Sequence, residues 1–111
     1  MKKQVEVTID KKVYKEVGKL IKTRTHLAKA FNKAVERLKV NPYMGQRIQK
    51  SRYPVDIVRD FNPDNLFRYD LIRRHPGWRM LYTVKTDGNI KVVAVILKVV
   101  DHHKYDVMFK Y

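Results

Sequence analysis

The stretch GWRMLYTV, running from Gly77 through Trp78, Arg79, Met80, Leu81, Tyr82 and Thr83 to Val84, decides how this chain folds. Its aromatic, β-branched and long apolar side chains mark a strand. Side chains alternate between the two faces of a strand, so Trp78, Met80, Tyr82 and Val84 form one set and Arg79, Leu81, Thr83 and Lys85 the other. The first set is the more apolar and is expected in the core. Arg79 is then expected on the uncovered face, because an unpaired guanidinium in a core carries a heavy desolvation cost.

Two further strand patterns flank this one, LFRYDLI at 66–72 and IKVVAVILKVV at 90–100. The separators are RRHPG and KTDGN, and Asp87-Gly88 is a strong hairpin signal, so the three strands are expected to run antiparallel. In the first of them Phe67, Tyr69 and Leu71 share the core face, while Arg68 and Asp70 fall on the face of Arg79.

Upstream, the alternation of Val5, Val7 and Ile9 predicts another strand. Asp10 offers an N-cap for a short helix whose stripe is Val13, Val17, Leu20 and Ile21. Thr23 or Thr25 offers one for a second helix carrying Leu27, Phe31, Ala34, Val35 and Leu38, with Lys29, Lys33 and Arg37 pointing away. Pro42 in VNPYMG, residues 40–45, ends it. From Gln46 to Asn65 the pattern is irregular, with Pro54 and Pro63 as breakers, and reads as a long surface connection. The expected fold is one α+β domain over 1–111: an N-terminal strand, then an antiparallel helical hairpin packed on one face of a twisted, mainly antiparallel sheet.

With 111 residues the chain has the length of one domain with one core. It has no cysteine, which rules out disulfides, a thiolate nucleophile and a cysteine-based zinc site, and suits the cytoplasm. Lys2 and Lys3 are followed by alternating residues instead of an apolar run, so neither export nor membrane insertion is expected. Lys and Arg number 25 against 11 Asp and Glu, a formal net charge of +14 that points to a polyanionic partner.

That charge gathers around the uncovered sheet face and the segments next to it. Arg68, Arg79 and Lys98 lie on strands, His102, His103 and Lys104 follow the last strand, and Arg47, Lys50 and Arg52 lie in the connection. A guanidinium can make two parallel hydrogen bonds to a phosphate, and an imidazole exchanges protons near neutral pH. Alone, Arg68 and Arg79 also read as plain cross-strand ion pairs with Asp70. His26 and His75 lie elsewhere in the chain, and no helical His-Glu ligand spacing occurs, so no metal site is expected. Trp78 and Tyr82 read as core.

The order strand, two helices, three strands, together with NPYMG, LFRYDL, GWRMLYTV and the tail DHHKYDVMF, resembles the RelE/ParE superfamily, the toxins of type II toxin–antitoxin pairs. The resemblance covers nearly the whole chain and favours the RelE branch. It implies an endoribonuclease that uses no metal and no cofactor, cuts mRNA on the ribosome by attack of a ribose 2′-hydroxyl on the adjacent phosphate, and is held inactive by a cognate acidic antitoxin. On that resemblance Arg79 stabilises the phosphate, Arg68 binds it, His103 acts as general acid or base with His102 one register away, and Lys104 assists electrostatically. Tyr105 or Phe109 stacks on a base, and Asp70 orients a histidine. Arg47, Lys50, Arg52 and Lys98 would complete the RNA surface. Relatives often carry an arginine and a tyrosine where this chain has HHKYDVMFKY. The alternatives are a ParE-like toxin that binds DNA gyrase and an inactive basic RNA-binding relative.

Overall fold

The computed structural model describes residues 4–75, 77–88 and 91–110. The elements in order are β1 (Gln4–Ile9), α1 (Tyr14–Thr23), α2 (Thr25–Val40), β2 (Gln46–Arg47), a 3-10 turn at Lys50–Arg52, α3 (Val55–Phe61), β3 (Phe67–Ile72), β4 (Trp78–Asp87), β5 (Lys91–Asp101) and α4 (His102–Phe109). The strand beginning expected at Ile90 lies outside the described residues. One sheet contains all five strands in the order β1-β5-β4-β3-β2. β3, β4 and β5 pair antiparallel, as expected; β2, in the stretch expected to be an irregular connection, adds a short antiparallel strand beside β3, and β1 lies parallel to β5 at the edge, with Val5 opposite Val92 and Ile9 opposite Ile96.

α1 and α2 cover one face. Val13, Val17, Leu27, Phe31, Ala34 and Leu38 meet Phe67, Met80, Tyr82, Val84, Ala94 and Ile96 in the larger core cluster, and Val5, Val7 and Ile9 pack against it. Burial of each large aliphatic side chain here contributes about 1.5–3 kcal/mol. The helix starts differ from expectation. Asp10 caps a turn ahead of α1: its carboxylate accepts the Lys12 N–H at 2.8 Å and its carbonyl accepts the Val13 N–H at 3.1 Å. The Thr23 hydroxyl donates back to the Lys19 carbonyl at 2.9 Å, and Arg24 occupies the N-cap of α2. A threonine bonded to its own preceding turn is not available to cap the next helix.

After α2 the chain returns to the sheet through Gly45, whose N–H donates to the Tyr82 hydroxyl at 2.9 Å. A Cβ at this position would lie 2.6 Å from that oxygen and 2.8 Å from the Arg68 carbonyl, so the close approach demands glycine. Tyr82 itself is fully enclosed; burial pushes its phenol above the ordinary value, partly offset by the Gly45 hydrogen bond.

The second face is not open, which corrects the expectation. α3 and α4 cover much of it, and Ile57, Leu66, Leu81, Val95, Leu97, Val100 and Tyr105 form a second buried cluster there. The stretch from Gln46 to Asn65 therefore contains structure. Pro54 stands at the N-cap of α3, where its missing N–H costs nothing, and Asn62 ends the helix in the left-handed region at φ 43°, just before Pro63. The tail likewise continues as a helix, with the Asp101 carboxylate accepting the Lys104 N–H at 2.8 Å as its N-cap.

A bulge reconciles β5 with both faces. Tyr82 opposes Ile96 and Leu81 opposes Lys98, which leaves Leu97 as an extra residue. Ile96 and Val99 consequently both serve the first core, and Leu97 and Val100 both serve the second. A second register shift, between Asp70 and Ile72, lies at the end of β3.

Candidate functional site

Asp70 on β3 stands directly opposite Arg79 on β4, and Arg68 lies two residues back on the same face. One carboxylate oxygen of Asp70 serves both arginines: Arg68 Nε is 3.3 Å away and Arg79 Nε 3.5 Å. The three side chains keep 24%, 26% and 22% of their surface in the order Arg68, Asp70, Arg79, so the cluster is sunken but reaches solvent. Among the described residues neither the buried Nε of Arg68 nor that carboxylate oxygen has a hydrogen bond, which makes the contact ionic without aligned geometry.

Tyr105 forms the floor. The Arg79 guanidinium carbon lies 4.4 Å from its ring centroid and that of Arg68 5.7 Å, a cation–π platform worth about 0.5–2 kcal/mol per pair. The ring is 1% exposed and stacks on Phe109 at 4.3 Å. Its burial leaves no face for a base to stack on, so Tyr105 supports the arginines instead. Arg68 Nη2 donates to Gln46 Oε1 at 2.6 Å. Among the described residues no hydrogen bond is made by the Arg79 guanidinium, whose forked outer edge stays available for a planar oxyanion.

The cluster opens into a hollow of about 580 Å³ whose charged wall is Arg68, Asp70, Arg73, His75, Arg79 and His102. Three arginines against one aspartate leave two positive charges in excess before either imidazole is counted. His102 is positioned by the start of α4, where its N–H donates to the Gly77 carbonyl at 2.9 Å and ties the helix to the β3–β4 loop. Its Nε2 is 3.2 Å from Asp106 Oδ2, one helical turn on. Asp70, expected to orient a histidine, contacts the arginines; the carboxylate beside the imidazole is that of Asp106.

The other expected residues go elsewhere. His103 is exposed in the first turn of α4 and does not line the hollow. Lys104 borders a smaller pocket with Trp78 and Arg24, whose guanidinium sits 5.4 Å from the indole ring. Lys98, opposite Leu81, reaches Glu16 of α1 at 3.8 Å. Arg47 and Lys50 border a separate shallow hollow with Tyr53, and the Arg47 guanidinium lies 5.9 Å from the Phe67 ring centroid. There burial raises the phenol of Tyr53, and the nearby Arg47 charge opposes the shift. Arg52 is exposed in the 3-10 turn, and Phe109 packs beneath Tyr105.

Arg73 and His75 were not among the expected site residues. The signal was present in RRHPG: a turn between strands bearing Arg68 and Arg79 on one face must deliver its own cations to the end of that face. For α4, the signals were an aspartate at the N-cap and the spacing of Tyr105, Met108 and Phe109. Among the described residues no group of three histidine, aspartate or glutamate side chains is gathered for a metal ion, and no helix is long and apolar enough to cross a membrane. Comparison with protein-family models, curated proteins and solved structures gives no match for this chain. What remains is the site's own chemistry: a concave, cationic wall with two imidazoles at its rim, suited to bind a phosphate and move protons beside it.

Proposed function

We propose that this chain is a RelE-type toxin of a type II toxin–antitoxin pair, an endoribonuclease that cuts mRNA on the ribosome. The observation that carries the reading is the convergence of Arg68, Arg79 and His102 on one solvent-reaching hollow. In the reaction the ribose 2′-oxygen forms a bond to the adjacent phosphorus and the bond from phosphorus to the 5′-oxygen breaks. The products are a 2′,3′-cyclic phosphate and a 5′-hydroxyl. The proton of the 2′-hydroxyl passes to a neutral imidazole, and a protonated one supplies the leaving 5′-oxygen.

In this reading the role first assigned to His103 moves to His102, and His75 serves the second proton transfer. Arg79, with Arg68 beside it, takes the charge that grows on the non-bridging oxygens in the transition state. Asp70 holds the two guanidiniums together, so one net positive charge meets one phosphodiester. The +14 charge of the chain suits an acidic antitoxin as the partner that silences it.

The test is expression without an antitoxin, followed by mapping of RNA ends, and then cleavage by purified protein with translating ribosomes. Growth arrest with cut mRNA bearing cyclic-phosphate ends is expected, and a 2′-deoxy nucleotide at the scissile position blocks the cut. Growth arrest with intact mRNA and broken DNA would replace this reading with gyrase binding. Harmless expression with salt-dependent RNA binding would reduce it to an inactive RNA-binding relative.

A further inference from the structure

A second hollow, of about 660 Å³, adjoins the first, and the two share Gln46, Arg68, Asp70 and Arg73 in their walls. The cause is the shortness of β2. It pairs with Phe67 and Arg68, so among the described residues the rest of β3 has no strand beyond it and a gap opens between that edge and α2. Lys33 and Arg37 enter the gap from α2; a spacing of four residues puts them on one face of the helix. Arg37 Nη1 donates to the Tyr69 hydroxyl at 3.1 Å, which anchors the guanidinium to the wall and leaves its other N–H groups to a ligand.

The charges along the second hollow are Lys33, Arg37, Arg68 and Arg73 against Asp70. A concave surface lined by one sign of charge focuses its field on a polyanion. The two hollows thus form one cationic channel that runs from His102 at the start of α4, past Arg79 and Arg68, to the middle of α2.

We propose that Lys33 and Arg37, with Arg73 between the hollows, form a second phosphate subsite that holds a neighbouring phosphodiester of the same RNA strand. The ligand is then single-stranded RNA spanning more than one phosphate, gripped between α2 and the free edge of β3. The proposal rests on the RNA reading above for the class of ligand, and does not depend on cleavage. It requires affinity to grow with strand length, because a dinucleotide presents a single internal phosphate and cannot occupy both subsites.

The test is binding of 2′-O-methyl RNA di-, tetra- and hexanucleotides, which cannot be cut by 2′-hydroxyl attack, measured by fluorescence anisotropy over a range of salt concentrations. The parent is expected to gain affinity from dinucleotide to tetranucleotide. The Lys33→Ala/Arg37→Ala double variant is expected to lose that gain, with its slope of log affinity against log salt shallower by about 1.4 for the longer strands, roughly 0.7 per lost contact. Lys33→Ala alone removes an exposed side chain without touching the Tyr69 contact, and should lose about half as much slope. Lys22→Ala/Lys85→Ala, a charge-matched change on other surfaces, should keep the gain. Equal length dependence in the parent and the Lys33→Ala/Arg37→Ala variant would overturn the proposal, as would indifference of the parent to length, or binding of an acidic peptide but no RNA. Length-dependent binding without any cleavage would retain the channel and sink the nuclease reading alone; cleavage without length dependence would do the reverse.

Discussion

Under α1 and α2 the sheet presents an apolar surface, Phe67, Met80, Tyr82 and Val84 side by side, and the helices close over it. Under α3 and α4 the same strands present Leu81, Val95 and Leu97 as core, then Arg68, Asp70 and Arg79 where the cover runs out. The first face needs only shape and volume. The second also keeps three charges in place, and it does so by giving them each other, a tyrosine floor and partial access to water. Charges this close to a core persist only when paired or solvated, so the second face divides into a packed part and a charged part that reaches solvent.

Matched truncations give the strongest way to break the comparison. Met80 and Leu81 are adjacent, both fully buried, and point to opposite faces. Met80→Ala and Leu81→Ala should each lower unfolding stability in urea by about 2–5 kcal/mol. A Leu81→Ala cost below about 1 kcal/mol would mean that the second cluster is surface and not core. Gly45→Ala comes next: the new methyl group must displace the Tyr82 hydroxyl or the Arg68 backbone, and should cost about 1–3 kcal/mol in the same assay.

Alkaline unfolding sharpens the contrast at smaller amplitude. The phenol of Tyr82 is raised by burial, so the folded state keeps a proton that the unfolded chain releases near pH 10. The associated stability is intact below that pH and is lost as pH rises towards the folded value. Tyr82→Phe should flatten part of the decline and leave a residue from Tyr53, which burial also raises. The smallest effect is expected for Tyr105→Phe, which keeps the aromatic floor and removes the hydroxyl that accepts a long, 3.5 Å hydrogen bond from Arg68. Its unfolding stability should change by less than about 1 kcal/mol.

The first face was legible because period-two strands and 3.6-period helices each bury one stripe, and Val17, Phe31 and Tyr82 stand where those periods require. The second face was only half legible. α3 has seven residues between prolines, too few for a repeating stripe, and α4 follows directly on the apolar run of β5, which masks its start. Face alternation brought Arg68, Asp70 and Arg79 together, since two residues along a strand and one across it are fixed distances. It did not separate His102 from His103, which depends on the helix that begins there. Nor did it place Lys98, because the extra residue at Leu97 breaks the parity on which the expectation stood.

Arg79→Ala tests the central claim most directly, namely that the charged half of the second face performs the chemistry. The variant should keep the parent's circular dichroism spectrum and melt cooperatively, while its rate of cutting mRNA under single-turnover conditions falls about 10²–10³-fold, the usual loss when one preorganised donor to a developing oxyanion is removed. A folded Arg79→Ala protein that cuts within a few-fold of the parent rate would contradict the account.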